Sequence, residues 1–331
     1  MNHFGRILSV SIFGESHGLQ VGVVIDGVLH GIELDINDFI ADLDRRRPGS
    51  DGTTSRKEND TPHIVSGLFN GKTTGAPLTI VFENMDTRSA DYEQQKSTPR
   101  PGHADLVADV KFKGHQDYRG GGHFSGRLTV ALVAAGVVAK KQLAHYRPEM
   151  KIEAQLTEAG NNKDIQQAIE QAIKDQDSIG GIITCKVNGM PVGLGEPFFD
   201  SIESVISHLI FSIPAVKGIE FGLGFQASSM KGSEHNDAIT DAQGTLATNH
   251  SGGISGGISN GNELLFRVAV KPTSSTPKTQ TSYNKDTGTM ESFQVKGRHD
   301  LCIALRVPVV VEAVTALAII DFVMLNQSKN C

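Results

Sequence analysis

Residues 307–325 limit the possible folds more than any other stretch, because they are almost wholly apolar. A run of this kind suits either a lipid bilayer or the core of a large globular protein. Glu312 and Asp321 lie inside it, and each charge would cost roughly 2.5–3.5 kcal/mol at the centre of a bilayer. The segment is therefore predicted to be a strand that runs into a buried C-terminal helix, suited to a subunit contact, and no membrane span is expected.

The bulk composition supports a soluble globular protein. The chain has 331 residues, of which 38% are hydrophobic and 21% charged, enough for one large domain or two fused halves. Its net charge of −6 argues against a nucleic-acid partner, which requires a basic surface. The three cysteines are far apart and lack C-x-x-C spacing, so neither a disulfide framework nor a metal site is predicted. The N-terminus lacks a secretory pattern, so a cytoplasmic location is expected.

Local patterns predict helices and strands that do not alternate regularly. Strands are predicted at 21–25, 78–82, 181–187 and 264–270, and helices at 128–143, capped by Ser125, and 165–173. Asp35 is predicted to cap another helix, whose buried face comprises Ile36, Phe39, Ile40 and Leu43. Because the elements do not follow a βαβα order, the fold class is predicted to be α+β.

Long polar loops separate these elements, and loops of this length are usually functional or mobile. They cover 49–62, 83–102, 114–126, 245–261 and 272–297. The glycine-rich run at 252–261 would let backbone N–H groups approach a phosphate or a planar ring. A strand rather than a helix is predicted after it, which argues against a dinucleotide fingerprint and leaves a tight loop and a cofactor cradle equally acceptable. Residues 67–73 have one residue too few for a Walker A loop, which is rejected.

Histidine and arginine recur in these loops beside glycine. His17, His103, His123 and His299 each have glycine within two positions. Histidine suits proton transfer near neutral pH, although a single loop histidine is more often structural. The arginines are Arg46, Arg56, Arg100, Arg127 and Arg298. If they converge, they would form a cationic pocket for a small polyanion, since arginine binds phosphate and carboxylate bidentately. The alternative for any one of them is a solvated surface charge.

Seven motifs, taken in order, resemble those of the chorismate synthase family. They are residues 14–18 (GESHG), 45–49 (RRRPG), 100–105 (RPGHAD), 119–122 (RGGG), 252–261 (GGISGGISNG), 271–275 (KPTSS) and 297–300 (GRHD). They span nearly the whole chain. The resemblance implies helices packed between antiparallel β-sheets, a pseudo-duplicated core, a single catalytic domain over 1–331 and a homotetramer.

The same resemblance implies a chemistry and a site. The reaction would be the 1,4-anti elimination of phosphate from 5-enolpyruvylshikimate 3-phosphate, giving chorismate on the way to the aromatic amino acids, with reduced FMN as cofactor. Arg46, Arg56, Arg100 and Arg127 would bind the substrate anions. The catalytic residues would be Ser16, His17, His103 and Asp300, with His103 protonating the flavin region and His17 the leaving phosphate. The FMN contacts would be His123, Phe124, Ser125, Pro214, Ala215, Gly256, Lys271, Pro272, Thr273, Ser274, Ser275 and Arg298.

The chain departs from the family pattern at three places. His123 and Phe124 stand where many members have arginine and serine, Gly52 where many have a further arginine, and Pro214 where asparagine is common. No convincing nicotinamide-binding motif occurs, so an external source of reduced flavin, such as a flavin reductase, is expected. The alternatives are a flavin reductase, a bifunctional synthase that reduces its own FMN with NADPH, or a non-enzymatic phosphate-binding protein.

Overall fold

The computed structural model describes residues 2–54, 56, 58–86, 92–295 and 299–329. The first half of the core comprises β1 (His3–Phe4), β2 (Ser9–Gly14), β3 (Gln20–Asp26), α1 (Asn37–Arg46), β4 (His63–Ser66), β5 (Leu68–Phe69), β6 (Lys72–Thr73), β7 (Leu78–Glu83), α2 (Glu93–Ser97), α3 (Asp105–Phe112) and α4 (Thr129–Tyr146). The second half comprises β8 (Lys151–Ala159), α5 (Ile165–Asp175), β9 (Gly181–Asn188), α6 (Ile202–Ile210), β10 (Val216–Phe221), α7 (Gly232–His235), β11 (Ile254–Ser255), β12 (Ile258–Ser259), β13 (Leu264–Val270), β14 (Gln280–Asn284), β15 (Thr289–Phe293) and α8 (Pro308–Lys329).

The two halves repeat one topology. The first sheet has the order β1-β2-β3-β7-β4 and the second β10-β13-β9-β8, and every pairing is antiparallel. The order β2-β3-β7-β4 therefore matches β8-β9-β13-β10. In each half a helix, α1 or α6, lies between the second and third of these strands in the chain, and a long helix, α4 or α8, follows the last. The predicted α+β class and the pseudo-duplicated core agree with this arrangement.

The long helices α4 and α8 pack against each other between the two sheets. Both are long and apolar enough to cross a membrane, but most of each is buried in the core. A Cβ added at Gly136 of α4 would lie 2.3 Å from Cβ of Ala313 in α8, so the glycine permits a close crossing. Sheets on both outer faces explain why these helices are apolar all round.

The prediction of a strand at the start of 307–325 is wrong. Pro308 begins α8, and a 3-10 turn at Ile303–Arg306 precedes it. Proline is favoured in the first helical turn because its φ angle already suits a helix and it needs no N–H there. The valines at 309–311 are buried against neighbouring helices and strands, and this tertiary packing overrides their β preference.

The two acids of α8 are buried and fully engaged. Glu312 forms a bidentate ion pair with Arg45 and accepts hydrogen bonds from Lys140 Nζ (3.0 Å) and Ala154 N (2.9 Å). Burial alone would raise the pKa of Glu312, but Arg45, Lys140 and the amide outweigh it and lower that pKa. Asp321 Oδ1 accepts the N–H groups of Arg6, Ile7 and Leu8 at 2.9–3.2 Å. The acids thus tie the helix to β8 and to the N-terminal segment.

The predicted buried face of α1 is only partly correct. Phe39 and Leu43 are buried, but Ile36 and Ile40 are 50% and 48% exposed. Arg46 instead continues the buried stripe, where its guanidinium pairs with the buried Asp60. Asp35, which was predicted to cap α1, lies one position before the N-cap residue Ile36, and its Oδ1 accepts the N–H of Asn37 at 2.6 Å. The strands predicted at 21–25, 78–82, 181–187 and 264–270 are confirmed as parts of β3, β7, β9 and β13.

Candidate active site

A cavity of about 380 Å³ lies where the N-terminal ends of α4 and α8 meet. Thr129 at the start of α4 and Val307 and Val310 at the start of α8 line it. Helix N-termini carry partial positive charge and unpaired N–H groups, so two of them favour an anion. All four predicted substrate arginines border the same cavity. Four arginines that are scattered along the sequence therefore lie around one cavity.

Arg46 and Arg127 share one buried carboxylate beneath the cavity. Each donates a short hydrogen bond to a different oxygen of Asp60, whose side chain is fully buried. Arg127 also donates to Asn84 Oδ1 (2.9 Å) and to the carbonyl of Glu83 (3.0 Å). Burial lowers the pKa of both arginines, while Asp60 opposes that shift. Burial would raise the pKa of Asp60, but the two guanidinium groups lower it. The trio is thus a fixed charged platform.

Arg56 and Arg100 are held by carboxylates close to them in sequence. Arg56 pairs with Glu58 (2.7 Å) and donates to Ser16 Oγ (3.1 Å). Arg100 forms a bidentate pair with Asp105 through Nε and Nη2, both at 2.8 Å. Both guanidinium groups border the cavity, but in each of them these partners fix the orientation.

Arg306 is a further cation at the cavity that the sequence analysis did not identify. It donates through Nε to the carbonyl of Arg46 (2.7 Å) and through Nη1 to Asp300 Oδ2 (3.1 Å). Asp300 also accepts the N–H of Thr54 at 2.9 Å. Asp300, a predicted catalytic residue, thus lines the cavity as the counter-ion of Arg306 and as an anchor for the loop after α1.

His103 lines the cavity and is paired with a carboxylate. Its Nδ1 lies 2.6 Å from Asp105 Oδ1 and 3.0 Å from Arg100 Nη2. A carboxylate oxygen at this distance requires a proton on Nδ1, so the ring donates to Asp105 and the contact with Arg100 is not a hydrogen bond. Nε2 is then the nitrogen that remains for proton exchange. His103 also lines a second, smaller cavity of about 180 Å³, together with Gln95, Asp109, Gln116 and others.

His17 and Ser16 lie behind the wall of the cavity. A Cβ added at Gly120, which lines the cavity, would lie 2.5 Å from the His17 ring and 2.9 Å from Ser16 Oγ. His17 also makes an edge contact with the ring of Tyr92, 5.1 Å between centroids. Burial, followed by the charges of Arg56 and Arg119, lowers the pKa of His17 against opposing effects of Asp117 and Glu58. The absence of a side chain at Gly120 therefore permits His17 and Ser16 to lie directly behind this part of the cavity wall.

The predicted FMN contacts fall into two groups. Phe124, Ser125, Pro214, Ala215 and residues 271–275 line the cavity. Lys271 Nζ donates to Ser274 Oγ (2.7 Å) and the carbonyl of Gly102 (3.1 Å), which joins this loop to the turn that carries His103. Burial lowers the pKa of Lys271, with a further effect from Lys217.

The second group lies away from the cavity or is not described. His123 bonds to the carbonyl of Gly14 (2.8 Å) and to Asn2 Oδ1 (3.1 Å), so its ring faces the N-terminal segment. Gly256 is exposed at the turn of the β11–β12 hairpin. Arg298 lies outside the described residues. Within the described part of the chain, no cluster of three or more His, Cys, Asp or Glu side chains suits a metal ion.

Three carboxylates that organise the arginines were missed from the sequence. Glu58 and Asp105 lie two and five positions after their arginine partners, so local charge alternation in the loops could have indicated them. Asp60 has no such signal, because its partners Arg46 and Arg127 are distant in the chain. Arg306 was also missed, although its partner Asp300 lies only six positions before it.

The chain is similar to known proteins over nearly its whole length. Residues 8–324 match the family model described as chorismate synthase. The chorismate synthase of Chitinophaga pinensis is 62% identical over 330 residues, covering 100% of this chain and 98% of that protein. The chorismate synthase of Thermococcus kodakarensis is 41% identical, with 98% of each chain covered. A crystal structure of chorismate synthase matches with a TM-score of 0.74 at 24% identity, covering 98% of this chain and 93% of that one, which supports the fold.

Proposed function

This chain belongs to the chorismate synthase family and is a lyase of that type, and we propose that its arginine-lined cavity binds 5-enolpyruvylshikimate 3-phosphate beside reduced FMN. The observation that carries the proposal is the convergence of Arg46, Arg56, Arg100 and Arg127 at two helix N-termini in a protein of net charge −6. A substrate with one phosphate and two carboxylates matches this concentration of guanidinium groups. Arg306 is added to the proposed anion contacts because it lines the same cavity.

The cavity suits a planar, phosphorylated cofactor. Ile213, Ile303, Val307 and Val310 form an apolar wall of the kind a ring system packs against. Thr273 Oγ1 is buried and has no hydrogen-bond partner among the described residues, so it is available to a ligand. When bound, reduced FMN would supply an electron transiently and regain it, so that the elimination is redox-neutral. Phe124, Ser125, Ala215 and residues 271–275 are the proposed contacts.

The protein's own residues would handle anions and protons. Positively charged groups at the cavity stabilise charge that develops on the leaving phosphate, and their fixed partners avoid reorganisation during the reaction. His103 would exchange a proton at Nε2, because its Nδ1 is engaged by Asp105. His17, which lies behind Gly120, would protonate the leaving phosphate. The apolar wall would exclude water from the reacting atoms.

The domain organisation, the assembly and the source of the cofactor are proposed as well. Both halves of the core contribute walls to one cavity, which supports treating the chain as one catalytic domain. We also propose a homotetramer in the cytoplasm and an external source of reduced flavin, on the basis of the family relationship.

The decisive experiment is anaerobic phosphate release from 5-enolpyruvylshikimate 3-phosphate. Purified protein should release phosphate with photoreduced FMN but not with oxidised FMN or without flavin. A parallel reaction with oxidised FMN and NADPH tests whether the chain reduces its own cofactor, and we expect no release there. Equal release with oxidised FMN would refute the cofactor proposal, and binding of substrate without turnover under any condition would favour a phosphate-binding protein.

A further inference from the structure

The carboxylate of Asp105 accepts the hydrogen bonds that join Arg100 and His103 in one turn. Oδ2 accepts the backbone N–H (3.0 Å) and Nε (2.8 Å) of Arg100, and Oδ1 accepts Nη2 of Arg100 (2.8 Å) and Nδ1 of His103 (2.6 Å). Only 11% of this side chain is exposed. Burial would raise the pKa of Asp105, but the hydrogen bonds from Arg100 and His103 outweigh it and hold that pKa well below its usual range. Asp105 is therefore a carboxylate throughout the neutral range.

We propose that Asp105 is a positioning residue that fixes the tautomer of His103, keeping the proton of the neutral ring on Nδ1 and leaving Nε2 to exchange protons at the active site. The inference rests on the proposed function for what His103 does with its proton. The tautomer itself depends only on the contacts above. An ordering carboxylate behind a histidine is a general device for holding an imidazole in one orientation.

Arg100 takes a different role from the one expected from the sequence. Two of its nitrogens and its backbone N–H are directed to Asp105, and Nη1 donates to Ser275 Oγ (3.2 Å). Its guanidinium therefore shares the Asp105 carboxylate with His103 and joins that pair to the 271–275 loop. A substrate anion would meet Arg100 as part of this assembly.

The substitution Asp105→Asn has a specific consequence. Two N–H donors of Arg100 converge on Oδ2 and one on Oδ1, so the amide oxygen of asparagine accepts more of these donors at the position of Oδ2 than at that of Oδ1. The amide nitrogen then occupies the position of Oδ1 and donates to His103 Nδ1. A ring nitrogen that accepts a hydrogen bond carries no proton, so the proton of neutral His103 moves to Nε2. The variant keeps the size of the side chain and reverses the tautomer, while Nη2 of Arg100 loses its acceptor at Oδ1.

The tautomer can be measured without substrate or cofactor. Protein labelled with ¹⁵N-histidine is examined by long-range ¹H–¹⁵N correlation at a pH where the ring is neutral, and His103→Gln assigns the signals. We expect the Nδ1–H pattern for His103 in the wild type and the Nε2–H pattern in Asp105→Asn. The Nε2–H pattern in the wild type, or the same pattern in both proteins, would overturn the proposal.

Kinetics test whether the tautomer matters. Single-turnover phosphate release by Asp105→Asn with reduced FMN should fall by ~10²–10⁴-fold, the range that a positioned proton donor contributes. Substrate affinity should change far less. Asp105→Glu retains a carboxylate and should recover part of the rate. The matched control is Asp109→Asn, in the next turn of α3, which lines the second cavity and loses its ion pair with Lys285 but does not contact His103.

The outcomes separate this inference from the proposed function. A reversed tautomer with wild-type turnover would show that Asp105 sets the proton position but does not assist the reaction, and would overturn its positioning role. Equal rate losses in Asp105→Asn and Asp109→Asn, with matching losses of thermal stability, would also overturn it. If wild-type protein releases no phosphate, the proposed function fails, whereas the tautomer result still decides whether Asp105 controls His103.

Discussion

The two halves of the duplicated core place an arginine at the same point but in different surroundings. Arg127 lies just before α4 and pairs with Asp60, and Arg306 lies just before α8 and pairs with Asp300. The side chain of Arg127 is 3% exposed, whereas that of Arg306 is 18% exposed. The repeated topology therefore places an arginine just before each long helix, and burial determines how much of each guanidinium group is exposed.

The two ion pairs therefore have different roles in the two halves. In the first half Asp60 joins Arg127 to Arg46, which forms a buried platform under the cavity. In the second half Asp300 joins Arg306 to the loop after α1 through the N–H of Thr54. We infer that the first pair mainly supports the structure of the site, and that the second pair contributes more to binding the ligand.

The largest expected effect comes from removing the two carboxylates in turn. Asp60→Asn leaves two buried guanidinium groups without a charged partner, and breaking a buried pair typically costs about 3–5 kcal/mol. Asp300→Asn removes a partner from a cation that still contacts solvent, so a smaller loss of roughly 1–3 kcal/mol is expected. Denaturant unfolding at neutral pH measures both free energies. Equal losses would remove the distinction between the halves.

The arginines themselves give a second test. Arg306→Ala should weaken substrate binding by about 10–100-fold, because hydrogen bonds to charged groups contribute ~1.5–3 kcal/mol. Its loss of stability should be limited to the roughly 1–3 kcal/mol of its bonds to Asp300 and to the Arg46 carbonyl. Arg127→Ala should lose stability as well as affinity, since it also leaves Asn84 Oδ1 and the Glu83 carbonyl without a donor. Titration calorimetry with the substrate and thermal unfolding separate the two effects. Wild-type affinity in a folded Arg306→Ala protein would exclude this residue from the ligand contacts.

Many of the strands and helices were predictable from the sequence, because the spacing of apolar residues indicates which positions are buried. The strands β9 and β13 and the helix α4 were predicted close to their observed bounds. The start of α8 was not, since a valine-rich run fits a strand until two flanking layers are known. The hairpin β14–β15 was predicted as a loop because its residues are polar. It contacts the segment before α3, where Lys285 N donates to the Ser97 carbonyl (2.9 Å).

The site was predictable to the extent that motifs carry it. The family resemblance named four arginines and His103, and all five line one cavity. It could not show that Arg46 and Arg127 share Asp60, since these contacts depend on three-dimensional packing. For the pair of Arg100 with Asp105 the only signal was their spacing of five positions. The ring of His123 faces Asn2 and Gly14, which no local pattern indicates. Local sequence thus identifies the reactive residue types, and the fold determines their partners.

The smallest expected effect is a pH dependence of stability that arises from the burial of His17 and, after it, from positive charge in the first half. Burial, Arg56 and Arg119 lower the pKa of His17 in the folded protein, whereas an unfolded histidine titrates near about 6.5. As the pH falls below that value, the unfolded state binds more protons at His17 than the folded state, so stability must fall. His17→Gln removes this contribution, and its free energy of unfolding should therefore decrease less between pH 8 and pH 5.5 than that of the wild type. Arg119→Gln removes one of the charges that lower the pKa of His17 and should give an intermediate dependence. If the free energy of unfolding depends on pH in the same way in the wild type and in His17→Gln, the surroundings of His17 do not oppose its protonation. The contrast between a strongly cationic first half and a more solvated second half would then not extend to this histidine.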